Sequence, residues 1–270
     1  SQSPVNFLLF DYKGEFSDIQ NNHWLSHFDV DRSCILDPIE HPLPFTPFKD
    51  FSGRPINEIN LYSSEMASAL CSIDRVSASA NMTNRLSEAI VEAYKETDGA
   101  PITFSKMLEE YQAKMADSSK DDTISSVLKQ LVRANIFEEE DKADLIGDCY
   151  IIKMDGYPKD GPIAKAIVYF LISKLNNIYE QLEKQATNDE VVQIRHFSII
   201  DEAHYMLDFD NRPLRNLIAV GRNKGLSIIL ATQNMSSFKS KGFDFYANAQ
   251  YPLIMKQQTI DDKVIKDLFG

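Results

Sequence analysis

Acidic and amide side chains follow three apolar runs of this sequence, at the points where the runs end. Asp11 ends "VNFLLFD", Asp201 and Glu202 follow "HFSII", and Gln233 follows "LSIILAT". A short apolar run rich in β-branched and aromatic residues is typical of a buried strand. In open parallel sheets, ligands bind at the carboxyl ends of the strands. Three strand ends with these side chains therefore predict a binding site.

The pair Asp201 and Glu202 has the residue types that metal-assisted hydrolysis of a nucleotide needs. A carboxylate at a strand end can hold the Mg²⁺ of a nucleotide through its water shell. The adjacent carboxylate points in a different direction and can polarise the attacking water. The same two residues also suit a plain strand-to-helix turn in which Asp201 caps the helix. Taken alone, the pair does not decide between these interpretations.

A basic segment precedes the third apolar run. Arg222 and Lys224 stand a few residues before "LSIILATQ". In a ring-shaped ATPase, a rigid arginine there can reach the γ-phosphate of a neighbouring subunit, while a glutamine at the strand tip senses phosphate and water. The simpler alternative is a basic helix end, with both cations facing the helix dipole and Gly225 as the C′ residue. The two interpretations are compatible.

The elements that would position these residues predict an α/β fold. Further runs with strand character lie at 149–154, 196–201, 226–232 and 250–256. A helical pattern covers about 162–184, and strands that alternate with helices predict a mainly parallel sheet flanked by helices. Residues 56–145 instead show the periodicity of amphipathic helices separated by charged loops. We therefore predict a core of residues 1–55 and 146–270, interrupted by an all-helical insertion at 56–145.

Composition narrows the class of protein. The chain has 270 residues, 43% of them hydrophobic and 25% charged, which is typical of a globular protein with a sizeable core. No apolar run is long enough to span a bilayer, residues 1–16 do not resemble a signal peptide, and three scattered cysteines indicate a cytoplasmic protein with reduced thiols. The net charge of -12 argues against a broad nucleic-acid-binding surface, but not against a locally basic channel.

Three segments, "LLFDYKGEF", "FSIIDEAHYML" and "GRNKGLSIILATQ", resemble successive motifs of the HerA/FtsK-type ATPases. The helical insertion also resembles that of VirB4-like and HerA-like members, so the similarity extends over nearly the whole chain. It implies a RecA-like fold, ATP and Mg²⁺ as cofactors, a homo-hexameric ring and the movement of DNA, most simply double-stranded, or of protein. The letters DEAH do not indicate a DEAH-box helicase, because the later motif is Ala-Thr-Gln.

The resemblance also implies roles for individual residues. The implied catalytic residues are Glu202 as the base, Gln233 as the phosphate sensor and Arg222 as the arginine finger. The implied Mg²⁺ carboxylate is Asp201, which would act largely through water. A DxxGE element beside the nucleotide, and hence a role in cofactor binding, is matched by Asp11, Lys13 and Glu15.

One family motif is missing, because the sequence contains no GxxxxGK(S/T) loop to bind phosphates. In the family this loop precedes the DxxGE element, and here only ten residues precede Asp11. We therefore expect a piece of a longer ATPase that begins after its phosphate loop and is inactive on its own. The alternative is a non-catalytic assembly module that has lost the loop. The retained carboxylates, arginine and glutamine favour the motor, because a scaffold has no chemical need for them.

Two kinds of motor fit the resemblance. A chain without a membrane segment best suits the translocases of DNA restriction or repair, which work with a partner nuclease. These include the translocases of phosphorothioation-dependent restriction. A VirB4-like secretion or conjugation ATPase is the second candidate.

Overall fold

The computed structural model describes residues 5–18, 20, 34–73, 78–117, 119–185, 187–188, 191–207, 209, 211–233, 238–240, 243–249, 251–255 and 265–266. At its centre is a five-stranded sheet in which every pair of neighbouring strands is parallel. The sheet strands are β1 (Asn6–Asp11), β2 (Ile35–Leu36), β3 (Tyr150–Lys153), β6 (His196–Ile200) and β7 (Leu226–Leu230), in the spatial order β2-β3-β1-β6-β7. The predicted α/β class with a parallel sheet is confirmed.

Two short antiparallel ribbons lie outside the sheet. They are formed by β4 (Thr187–Asn188) with β5 (Val191–Val192) and by β8 (Lys239–Ser240) with β9 (Phe243–Asp244).

Eight α-helices accompany the strands in the described residues. Between β2 and β3 lie α1 (Ile56–Ile73), α2 (Ala80–Glu96), α3 (Phe104–Ala113) and α4 (Thr123–Ala134). After β3 come α5 (Pro162–Gln181), α6 (His204–Leu207), α7 (Arg212–Val220) and α8 (Phe245–Asn248). No helix within these ranges combines the length and the apolar character that a bilayer crossing requires.

The helices between β2 and β3 share one hydrophobic core with the sheet and with α5. Phe170 of α5 is at the junction, because its ring lies 5.6 Å from Phe48, 5.2 Å from Phe104 and 6.0 Å from Phe137. Aromatic pairs at these separations contribute about 0.5–1.5 kcal/mol beyond the area they bury. The segment 56–145 therefore packs onto α5 and is not separated from it by a break in the core.

The register of the sheet brings its carboxyl ends to one level. Phe10 pairs with Ile200, and Ile200 pairs with Leu230. Asp11 is the partner of Lys153 on the other side of β1. The next residues after β6 and β7 therefore follow at the same edge as Asp11, which is the edge that the sequence predicts as a site.

The strand predicted at 250–256 is wrong for its described part, residues 251–255, which form no strand. Tyr251, Leu253 and Met255 are 86%, 87% and 81% exposed. The apolar run satisfies the strand pattern, but a strand also needs a neighbour whose backbone it can pair with. None of the described strands pairs with this segment.

Candidate active site

Asp11 organises the loop that follows β1. Its carboxylate is fully buried and, within the described residues, accepts hydrogen bonds from the backbone of Lys13 at 3.3 Å, of Phe16 at 3.0 Å and of Ser17 at 2.8 Å, and from the Ser17 hydroxyl at 2.9 Å. Hydrogen bonds to a charged group contribute about 1.5–3 kcal/mol each. The hydrogen bonds of Asp11 therefore fix the loop that carries Lys13 and Glu15. Its role in cofactor binding stays a prediction.

Gly14 makes the turn of this loop possible. Its φ is +72°, and a Cβ at this position would lie 2.7 Å from Oδ2 of Asp155. Only glycine tolerates both the left-handed backbone and such a close neighbour without strain. Lys13 and Glu15, on either side of this turn, are exposed, and Lys13 reaches Glu202 after β6.

Glu202 adopts a backbone conformation that is rare outside glycine. Its φ is +49°, and the residue is only 4% exposed. The turn around it is fixed by the Ala203 amide, which donates to the Ala231 carbonyl at 2.7 Å, and by the Ala231 amide, which donates to Ile200 at 3.0 Å. A left-handed conformation costs about 1–2 kcal/mol for a residue with a Cβ. This strained turn aims the Glu202 side chain along the carboxyl edge.

Among the described residues, the Glu202 carboxylate has three side-chain partners, which follow different strands or begin a helix. Nζ of Lys13, after β1, lies 2.6 Å from Oε1, and Nε2 of Gln233, after β7, donates to the same oxygen at 2.7 Å. Nδ1 of His204 lies 3.3 Å from Oε2 and 3.4 Å from the hydroxyl of Thr232. The structure thus brings Lys13, Glu202 and Gln233 together, as strand ends in one sheet allow.

The two neighbouring carboxylates have pKa values shifted in opposite directions. Burial alone would raise the pKa of Glu202, but the hydrogen bond and charge of Lys13, aided by His204 and Gln233, hold it below its ordinary value. Burial raises the pKa of Asp201, and the charges of Glu202 and Asp11 add to this rise, while Lys13 opposes it. Carboxylates whose pKa values are pushed apart are suited to different roles. Glu202 is the one held ionised, which a proton acceptor requires.

Asp201 fits the ligand pattern of a nucleotide-bound Mg²⁺. The described residues contain no group of three or more His, Cys, Asp or Glu that could hold a metal ion by itself. Mg²⁺ at nucleotide sites uses one or two carboxylates, with waters and phosphate oxygens completing its shell. Asp201, half-buried at the end of β6, can supply one such carboxylate, and its role as the Mg²⁺ ligand stays a prediction.

Arg222 lies at the opposite edge of the sheet. It begins a 3₁₀ turn, Arg222–Lys224, that leads into the amino end of β7. The five residues of β7 span roughly 16 Å at about 3.3 Å per residue, so Arg222 and Gln233 are separated by at least the strand's length. Arg222 is therefore not part of the cluster around Glu202, and its role as an arginine finger stays a prediction.

Lys224 faces a helix end, as the simpler interpretation of the basic segment expects, but the helix is α5 and not the one that precedes it in the sequence. Its ammonium donates to the carbonyl oxygens of Tyr179 and Glu180, in the last turn of α5. A cation here satisfies carbonyl groups that have no partner inside the helix and opposes the negative end of its dipole. Gly225 follows with a φ of +84°, the conformation expected of the residue that ends such a turn.

Comparison with known proteins identifies similar structures. No protein-family model and no curated protein sequence matches the chain. VirB4 of Thermoanaerobacter pseudethanolicus is similar with a TM-score of 0.60 and 16% identity, over 88% of this chain and 64% of that one. This chain has a RecA-like fold.

A second RecA-like neighbour is the bacterial conjugative coupling protein TrwB, in a trigonal crystal form with sulphate. Its TM-score is 0.53 and its identity 15%, over 87% of this chain and 58% of TrwB. The chain spans less than two thirds of the length of either neighbour.

The sequence interpretation missed His204 as a member of the site. Its imidazole contacts both Glu202 and Thr232, and its ring centre lies 4.1 Å from that of Tyr205, with the two rings tilted by 38°. The signal was present in the letters DEAH, where the histidine follows Glu202 by two residues. Because α6 begins at His204, the strained turn brings the ring back over the carboxylate.

Proposed function

We propose that these 270 residues are the motor portion of a HerA/FtsK-like ATPase that moves DNA, with ATP and Mg²⁺ as cofactors and a homo-hexamer as the working form. The proposal rests on the Glu202 carboxylate, which is buried, ionised and held by Lys13 and Gln233 beside Asp201. A base fixed in this way at the carboxyl edge of a parallel sheet suits attack by water on a nucleotide. The RecA-like fold supports the same reaction class.

Each residue has a distinct part in the proposed reaction. Glu202 accepts the proton of the attacking water, and the amide of Gln233 links that carboxylate to the tip of β7. Asp201 would hold Mg²⁺, which neutralises the charge that develops on the phosphate oxygens. Arg222, at the other edge of the sheet, serves the site of the next subunit in the ring. The exposed Glu15 and the loop fixed by Asp11 lie beside the nucleotide.

We further propose that this chain is inactive by itself, because the sequence has no GxxxxGK(S/T) loop and lacks the lysine and backbone amides of that motif. Work in DNA restriction or repair with a partner nuclease, in the cytoplasm, is the specific role that the sequence resemblance favours. A VirB4-like secretion or conjugation ATPase is the second candidate, because VirB4 and TrwB share the fold.

The first test is ATP hydrolysis by the gene-encoded protein, expressed from its own first codon, with and without duplex DNA. We expect DNA to stimulate hydrolysis, because a translocase couples ATP turnover to movement along the DNA. Hydrolysis that DNA leaves unchanged would favour the secretion ATPase. No hydrolysis by the folded, assembled protein in either condition would instead favour a non-catalytic assembly module.

The role of Glu202 is tested by Glu202→Gln in the same protein. Removal of a general base lowers turnover by roughly 100-fold or more, while ATP binding should persist. Glu58→Gln is the matched control, because Glu58 is an exposed residue of α1 whose carboxylate pairs with Arg54 at 3.2 Å. Unchanged turnover in Glu202→Gln would rule out Glu202 as the base.

A further inference from the structure

Lys13 makes a contact that differs from the one its sequence motif implies. The resemblance places it among the residues that bind the cofactor. In the structure its ammonium lies 2.6 Å from Oε1 of Glu202, and Gln233 donates to that same oxygen at 2.7 Å. Since β6 lies between β1 and β7, Glu202 is held from both neighbouring strands.

The Glu202 side chain needs such support. Its left-handed backbone is strained, and a strained residue keeps its conformation only where the surroundings fix it. An ionised carboxylate has about four lone-pair sites. Lys13 and Gln233 both use Oε1, so that within the described part of the chain Oε2 has only the longer contact, 3.3 Å, with His204. One position on Oε2 is thereby left for a water molecule.

The charges around Lys13 also disfavour a direct contact with phosphate. The carboxylates of Glu202, Asp201 and Glu15 all act on the ammonium and raise its pKa, with the Glu202 hydrogen bond as the largest cause. A lysine that recognises phosphate acts as a point of positive charge. Here that charge is already offset by three acidic neighbours.

We propose that Lys13 is a positioning residue, which fixes the Glu202 carboxylate through Oε1 so that Oε2 faces the attacking water, and that it is not a phosphate ligand. This inference rests on the proposed function, since it concerns the base of that reaction. It predicts that loss of Lys13 slows the chemical step without weakening nucleotide binding.

The test compares Lys13→Met, Lys13→Arg and Lys153→Met in the gene-encoded protein. Lys153 is the matched control: it pairs with Asp37 at 2.9 Å, lies in register beside Asp11, and its side chain is 38% exposed against 31% for Lys13. For each variant, kcat for ATP and Kd for a Mg²⁺-bound non-hydrolysable ATP analogue are measured.

We expect kcat of Lys13→Met to fall by roughly 30- to 100-fold, because a misplaced reacting group costs about two orders of magnitude. The Kd should stay within about twofold, since nucleotide contacts that do not change leave the affinity unchanged. Lys13→Arg should restore most of kcat, and Lys153→Met should change neither constant. A Kd that rises about tenfold in Lys13→Met at unchanged kcat would overturn the proposal and make Lys13 a phosphate ligand.

A second measurement is independent of turnover. Thermal midpoints are compared for Lys13→Met, Glu202→Gln and the double variant. If the two side chains act on each other, the double variant should lose less than the sum of the single losses. Additive losses would overturn the inference. A wild-type protein without turnover would overturn the proposed function and this role with it, whereas wild-type turnover that Lys13→Met leaves intact would overturn this inference alone.

Discussion

Acidification should destabilise this protein through one buried histidine. His196 begins β6, is fully buried, and pairs in register with Asn6 and Leu226. Among the described residues neither of its ring nitrogens has a hydrogen-bond partner. Burial lowers the pKa of His196 from its ordinary 6.5 to about 4, although the charge of Asp144 acts in the opposite direction. The fold therefore holds this imidazole neutral.

The size of the effect is set by the two pKa values. Below pH 6.5 the unfolded chain takes up a proton at this residue, whereas the folded protein does so only near pH 4. The contribution of the neutral His196 to the free energy of unfolding is therefore complete above pH 6.5. It decreases as the pH falls and levels off below about 4. A shift of about 2.5 units at about 1.4 kcal/mol each gives about 3 kcal/mol in all, of which about 2 kcal/mol is lost between pH 7 and pH 5.

The assay is urea denaturation at pH 7 and pH 5 of the wild type and His196→Leu. Leucine suits the buried position and has no group to titrate. The free energy of unfolding of His196→Leu should therefore fall by about 2 kcal/mol less than that of the wild type between pH 7 and pH 5. Subtraction of the two proteins removes the contribution of every other titrating group. His41→Leu, at an exposed position, is the control and should behave like the wild type. An equal loss in wild type and His196→Leu would refute the reasoning.

Two further predictions concern the loop before β7. Gly225→Ala should destabilise the protein by about 2 kcal/mol, because two costs add up. Alanine disfavours the left-handed backbone, and its Cβ would lie 2.6 Å from the Gln193 carbonyl oxygen. Gly53→Ala, with a φ of +71° and open space around it, should cost only about 1 kcal/mol in the same denaturation assay, and equal losses would contradict the steric cause. In the ring that we propose, Arg222→Ala should lower ATP turnover only when the subunits are assembled, and the same loss in dilute monomers would exclude action on a neighbouring subunit.

Much of the fold was predictable because its signals are local. The runs that form β1, β3, β6 and β7 have the apolar character of buried strands, and α5 is indicated by a continuous helical pattern. The acidic residues at the ends of β1 and β6 could be assigned to one edge from the sequence, since parallel strands end together. The segment 251–255 has an equally good local pattern and forms no strand, because pairing depends on a neighbouring strand.

The sequence by itself determined the residue types of the site and the edge of the sheet where they gather, because both depend on short apolar runs and on the polar residues directly after them. Only the tertiary structure decided that Lys13 and Gln233 share one oxygen of Glu202, and that His204 takes the other. Those contacts depend on β6 lying between β1 and β7 and on the strained turn at Glu202. Strand order and register arise from packing over the whole chain, and no window of neighbouring residues contains them.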